Sequence, residues 1–132
     1  GCADRALAMA TDYAKERVQF GRPIGSFQGL AHPLASVATA VVGSRLLAQE
    51  AAWARDTGLP YARLATMAHI QAAEAARLST KTGHQVLGGI GFTVDIDMQL
   101  YYRRAKQNQI AWGDTPSLDE SIAASVLDEG DQ

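Results

Sequence analysis

The chain has 132 residues, 47% of them hydrophobic and 20% charged, with a formal net charge of -2. This length suits one compact domain rather than two, and so balanced a charge gives no electrostatic footing for nucleic acid or an anionic membrane surface. A single cysteine, Cys2, cannot form an internal disulfide, and with no Cys/His cluster at zinc spacing neither a stapled secreted scaffold nor a structural metal site is supported; a reducing cytoplasm fits best.

The opening Gly1-Cys2-Ala3-Asp4 carries no Met, cationic leader or apolar signal core, so it reads as the interior of a longer protein. The longest run built only of apolar residues and glycine, Val86 to Phe92, is far shorter than the roughly 20 residues needed to cross a bilayer, and no membrane span is expected.

From Ala3 to Val18, the residues Ala3, Ala6, Leu7, Ala10, Tyr13, Ala14 and Arg17 recur every three or four positions. That spacing puts a stripe of small residues on one face of a helix. Gly21, Pro23 and Gly25 break the pattern, because glycine is conformationally loose while proline fixes φ and lacks a donor.

A second helix is expected to end near Asp56, at Thr57-Gly58-Leu59-Pro60. It begins either at Ser26, a good capping residue, with a kink at Pro33, or near His32 with the proline at the first helical position. Trp53 on this helix reads as a packing residue at the bundle surface or a subunit contact. A third helix is expected from about Tyr61 to Leu87, stopped by Gly88-Gly89-Ile90-Gly91, and a fourth from about Asp95, read as its N-cap, to Ala111. Thr115-Pro116-Ser117 followed by Glu120 signals one more helix start, and 128–132 is expected to fray. No segment alternates at period two. The expected fold is all-α, a four- to five-helix up-down bundle.

Two stretches go beyond a generic bundle. Arg17-Val18-Gln19-Phe20-Gly21, continuing to Phe27-Gln28, resembles the R-x-x-F-G signature of the acyl-CoA dehydrogenases. Gln85-Val86-Leu87-Gly88-Gly89-Ile90-Gly91-Phe92, followed by Arg103-Arg104-Ala105-Lys106, is similar to the same family's Q-x-x-G-G-x-G-[FY] turn and the helix after it. Both motifs occur in order, and the resemblance covers essentially the whole chain.

The resemblance implies a C-terminal helical domain spanning residues 1–132, with the family's N-terminal helical and β domains outside this chain. It implies an FAD-dependent oxidation of an acyl-CoA thioester to the enoyl form, in a homo- or hetero-oligomer, dimeric or tetrameric, whose cofactor reaches across a subunit interface. Arg17 would pair with the pyrophosphate, which suits the forked guanidinium. Phe20 would pack on the cofactor, Gln28 would hydrogen-bond toward it, and Gln85 with the backbone of Gly88 and Gly89 would approach the adenosine. Read without the family, Arg17 could cap a helix C-terminus and Gly88-Gly89 could simply stop a helix. His32, His69 and His84 read as surface or satisfied core histidines.

Many family members carry the glutamate that removes the α-proton in an I-Y-E-G-T sequence. Gapless threading from Gln85 puts Ile110-Ala111-Trp112-Gly113-Asp114 there, so Trp112 stands at the glutamate position and Asp114, two residues on, is the one nearby carboxylate. Three explanations follow: a base upstream of this chain, a non-catalytic subunit of a heteromer, or a flavin monooxygenase of the same fold. The stretch Gly88 to Lys106 resembles an actinobacterial form of the family, although Val94, Asp95 and Gln99 replace its Trp, Glu and His. A helical interaction module without a ligand is the alternative outside enzymes.

Overall fold

The computed structural model describes residues 1–111, 113 and 115–127. Its first helix, α1 (Cys2–Glu16), buries Ala3, Ala6, Ala10 and Ala14. Side chains this small let a neighbouring backbone approach closely, and the stripe lies on α3 (Ala62–Leu87), the element at the centre of the molecule. Helix α3 packs on α1, on α2 (Gln28–Asp56), on α4 (Met98–Ala111) and on α5 (Thr115–Leu127). Accordingly its buried residues, from Ala68 through Ala75, Ala76 and Thr80 to Leu87, cover more than one face.

Three small clusters make the core. Ala3, Val37, Val41, Ala75, Ala76 and Ala105 join four helices near the middle. Ala6, Leu87 and Met98 form a second, and Ala10, Ala14 and Val86 a third, on which Ile24, Leu30 and Leu34 rest. Arg45 of α2 also reaches Asp4 of α1 at 2.8 Å, but both side chains are more than half exposed, so the pair contributes well under about 1 kcal/mol.

The five helices match the expected bundle, and the boundaries differ for local reasons. Helix α1 stops at Glu16 because Val18–Gln19 (β1) and Arg22–Pro23 (β2) form a short antiparallel hairpin, too brief to show as alternation in the sequence. Helix α2 begins after Ser26, which sits in a 3-10 turn, with Phe27 as the N-cap. Pro33 therefore lies inside the helix, where its missing N–H deprives only the Gly29 carbonyl. Helix α4 starts at Met98 rather than Asp95, and it is the backbone carbonyl of Asp97 that accepts the N–H groups of Leu100 and Tyr101. The chain uses residues 93–97 to swing Met98, fully buried, onto α3.

Helix α2 is also long and apolar enough to cross a membrane, with a mean hydropathy of 1.3 in its most apolar window. A search for unbroken apolar runs misses it because Ser36, Thr39 and Ser44 interrupt the sequence. Here Val37, Val41, Ala51 and Ala54 are its buried residues, and it serves as a bundle helix.

Candidate functional site

Both sequence motifs come to the same end of the bundle. Val86, next to Gln85, shares a cluster with Ala10 and Ala14 of α1 and with Ile24, Leu30 and Leu34, which flank the hairpin. Gly25 sets the approach of that segment, since a β-carbon there would lie 3.0 Å from the Ala14 carbonyl oxygen.

Arg17 is held by its backbone and free at its head group. Its N–H donates to the Tyr13 carbonyl at 2.9 Å, closing α1, and its own carbonyl accepts the Ile24 N–H at 2.8 Å. The helix is thus capped by the Arg17 main chain, and the exposed guanidinium has no partner among the described residues.

Three residues on, the hairpin turns at Phe20 (φ 54°) and Gly21 (φ 81°). Positive φ at both central positions marks a type I′ turn, where Asn-Gly is the usual pair. A side chain with Cβ costs about 1–2 kcal/mol in this conformation. Burial does not offset that cost here, because Phe20 is 93% exposed. Its contact within the chain is an edge-on approach to Phe27 at 6.2 Å, with the Arg22 guanidinium 4.1 Å from the Phe27 ring centroid. The turn thus leaves an aromatic ring exposed on the surface of the chain. Gln28 opens α2 with an exposed side chain.

The second motif ends α3. Gly88 has φ 62°, Gly88 and Gly89 are exposed, and a β-carbon on either would meet nothing within 4 Å. Glycine at 88 answers to the backbone turn, and the open space leaves the main chain of both residues accessible. Gln85 is exposed one turn before them.

Beside this turn lies a cleft of about 690 Å³, lined by Lys81, His84, Gln85, Gly88, Phe92 and Tyr102 among others. Three of these, His84, Phe92 and Tyr102, form an aromatic group that helical periodicity alone does not single out. The Gln99 amide oxygen, also on the wall, is buried without a hydrogen-bond partner among the described residues. His84 is a satisfied core histidine, with Nδ1 donating to the Thr80 carbonyl at 2.8 Å. Trp53 is 59% exposed on α2. Trp112 and Asp114, the residues at and near the expected base position, lie outside the described residues. Among the described residues no group of three His, Cys, Asp or Glu side chains could hold a metal ion.

Fold and site together define a helical domain that presents a basic, aromatic and glycine-rich surface at one end of a bundle. The chain belongs to the acyl-CoA dehydrogenase family: residues 1–127 match the model described as "Acyl-CoA dehydrogenase, C-terminal domain". It is 40% identical over 128 residues to the short/branched chain specific mitochondrial acyl-CoA dehydrogenase of Rattus norvegicus, an alignment covering 97% of this chain and 28% of that one. Butyryl-CoA dehydrogenase from Megasphaera elsdenii superposes with a TM-score of 0.91 at 31% identity, covering 96% of this chain and 33% of that one. A chain of the ChsE4-ChsE5 complex from Mycobacterium tuberculosis gives a TM-score of 0.90 at 35% identity, covering 96% and 35%. The chain spans about a third of the length of the relatives it matches.

Proposed function

We propose that this chain is the C-terminal domain of an FAD-dependent acyl-CoA dehydrogenase, and that it contributes part of the flavin site and an oligomer interface. The observation that carries this reading is the hairpin: a phenylalanine held in a left-handed conformation and 93% exposed, three residues from an arginine whose guanidinium has no partner among the described residues.

The residues fit the cofactor. Arg17 would pair with its pyrophosphate, Phe20 would pack on its rings and Gln28 would donate toward it. Gln85 and the accessible backbone at Gly88 and Gly89 would meet the adenosine. The Gln99 oxygen is buried without a partner among the described residues, and a donor from a bound ligand would offset a cost of about 1–3 kcal/mol. When bound, FAD supplies the hydride acceptor for oxidation of the acyl chain. This chain's own residues bind and orient it.

In this reading the proton is taken from the substrate by a carboxylate that Trp112 does not supply. The base then stands upstream of this chain or in a partner subunit, and Asp114 is the one local candidate. ChsE4-ChsE5 is a precedent for two-chain assembly within the family's fold. An oligomer, whether of like or unlike chains, follows from a cofactor that bridges subunits. The cytoplasm is the proposed compartment.

The test is FAD content and acyl-CoA oxidation by the full-length protein, alone and co-expressed with a second dehydrogenase-like subunit. Activity alone assigns the base to an upstream residue or to Asp114, and Asp114→Asn decides between them. Activity only in the pair makes this the non-catalytic subunit. Absence of bound FAD in both preparations overturns the proposal.

A further inference from the structure

A cavity outside both motifs lies where the start of α1 and the middle of α2 meet α3 and the last turn of α4. It holds about 310 Å³, at the lower end of the roughly 300–1,000 Å³ of small-molecule sites. Ala73 and Ala76 form its α3 wall, and side chains that small leave the space between the four helices unfilled.

The rest of the wall is largely polar. Cys2, Ser44, His69 and Asn108 line it, and among the described residues no Asp, Glu, Lys or Arg does. Two of these groups have their hydrogens committed: Ser44 Oγ donates to the Val41 carbonyl at 2.9 Å, and Cys2 Sγ donates to the Tyr101 carbonyl at 3.2 Å. Burial pushes the Cys2 thiol up, which favours its neutral form. His69 differs from the satisfied His84, because its Nε2 is buried without a hydrogen-bond partner among the described residues. A buried polar nitrogen left unpaired is unfavourable, and a ligand oxygen that reaches it removes the cost. A hydroxyl suits either tautomer of the ring, since it both donates and accepts, and it can also donate to the Ser44 oxygen.

Asn108 belongs to the last turn of α4, the helix that leads to position 112, where many family members carry the base glutamate. The cavity therefore lies beside the element that serves the reacting end of the substrate. We infer that it receives the distal end of the acyl chain, and that His69 and Ser44 select a tail bearing a hydroxyl group over a plain hydrocarbon tail. The inference rests on the acyl-CoA dehydrogenase reading above and adds a substrate class to it. A hydrocarbon tail would leave His69 Nε2 unpaired, and a carboxylate tail would find no cationic side chain among the described residues of the wall.

The probes are hexanoyl-, octanoyl- and decanoyl-CoA, each beside its ω-hydroxy counterpart. They are oxidised by the full-length protein, together with the second dehydrogenase-like subunit where activity requires it. In at least one pair the ω-hydroxy thioester is expected to show about tenfold higher kcat/KM, equivalent to about 1.4 kcal/mol. His69→Leu is expected to abolish that preference, while His69→Gln, which keeps a polar group there, retains part of it. Ser44→Ala is expected to lower the preference roughly threefold, and it decides the matter if His69→Leu does not fold. Equal kcat/KM within every pair overturns the inference, as does a preference that these substitutions leave unchanged. FAD-loaded protein that oxidises no acyl-CoA brings down the functional reading and this inference together. Ready oxidation of the plain thioesters without any preference removes only the inference.

Discussion

Gly83 of α3 faces the thioether of Met98 in α4 so closely that a β-carbon at position 83 would lie 2.5 Å from the Met98 methyl and 2.8 Å from its sulfur. Met98 is fully buried, so its side chain has nowhere to move without repacking Ala6 and Leu87 beside it. Glycine inside a helix ordinarily costs about 1 kcal/mol against alanine. Here the absent methyl is what lets α4 dock, and α4 carries Tyr102 and Arg103 to the cleft.

Gly83→Ala is accordingly expected to destabilise the fold by about 1 kcal/mol, with overpacking of about 1–3 kcal/mol exceeding the gain in helix propensity. Urea unfolding measures it. The double variant Gly83→Ala/Met98→Ala should lose about 1 kcal/mol less than the two single variants summed. Simple additivity would show that the two positions do not meet.

Phe20→Asn should separate stability from ligand binding. Asparagine tolerates the left-handed conformation, so the relief of strain and the loss of the edge-on Phe27 contact are both about 1 kcal/mol and oppose each other. The melting temperature is expected to stay put while retention of FAD by the full-length protein falls. A clear drop in melting temperature would mean that the Phe20 ring holds the hairpin together instead of serving a ligand.

Arg17 offers a test of charge against geometry. Its side chain makes no bond among the described residues, and the backbone bonds that close α1 do not depend on its head group. Arg17→Gln should leave the thermal melt unchanged and weaken FAD binding by about ten- to a hundredfold, the range of a hydrogen bond to a charged group. Arg17→Lys keeps the charge without the fork and should fall between. Equal FAD affinity in all three proteins would remove Arg17 from the site.

The Glu74–Arg77 pair on α3 predicts a small pH effect. A hydrogen bond from the Arg77 guanidinium, 2.8 Å from Nε to the Glu74 carboxylate, holds the Glu74 carboxyl below its ordinary range. A carboxyl so depressed adds stability at neutral pH, and the contribution disappears as the pH falls through its folded-state value. Both side chains are about half exposed and lie three residues apart on one helix, so solvent screening limits the effect to roughly 0.3–0.5 kcal/mol. Glu74→Gln should lower the urea midpoint slightly at neutral pH and match the wild type once the carboxyl is protonated. A difference that persists in acid would assign the effect to packing rather than charge.

Much of the helical architecture is legible in the linear sequence because it depends on local terms. The three- and four-residue spacing of Ala3, Ala6, Ala10 and Ala14 marks the buried stripe of α1, Gly88 marks the end of α3, and Thr115-Pro116-Ser117 marks the start of α5. Both family motifs are likewise contiguous in sequence, which is why Arg17, Phe20, Gln28, Gln85, Gly88 and Gly89 can be named as candidates from the order of residues alone.

What only the tertiary structure decides are relations between residues far apart in the chain. A two-residue strand pair has too few positions to show a period, so the Val18–Pro23 hairpin, the left-handed Phe20 and the close approach of Gly25 to Ala14 are seen only in the folded chain. The start of α4 at Met98 is set by the space that Gly83 leaves on another helix, a term that capping preferences around Asp95 do not contain. The aromatic group of His84, Phe92 and Tyr102 combines the end of α3, the turn after it and α4. Periodicity records which face of a helix is apolar. It carries no information on which rings from three elements will share one wall, because that depends on packing distances fixed only when the elements meet.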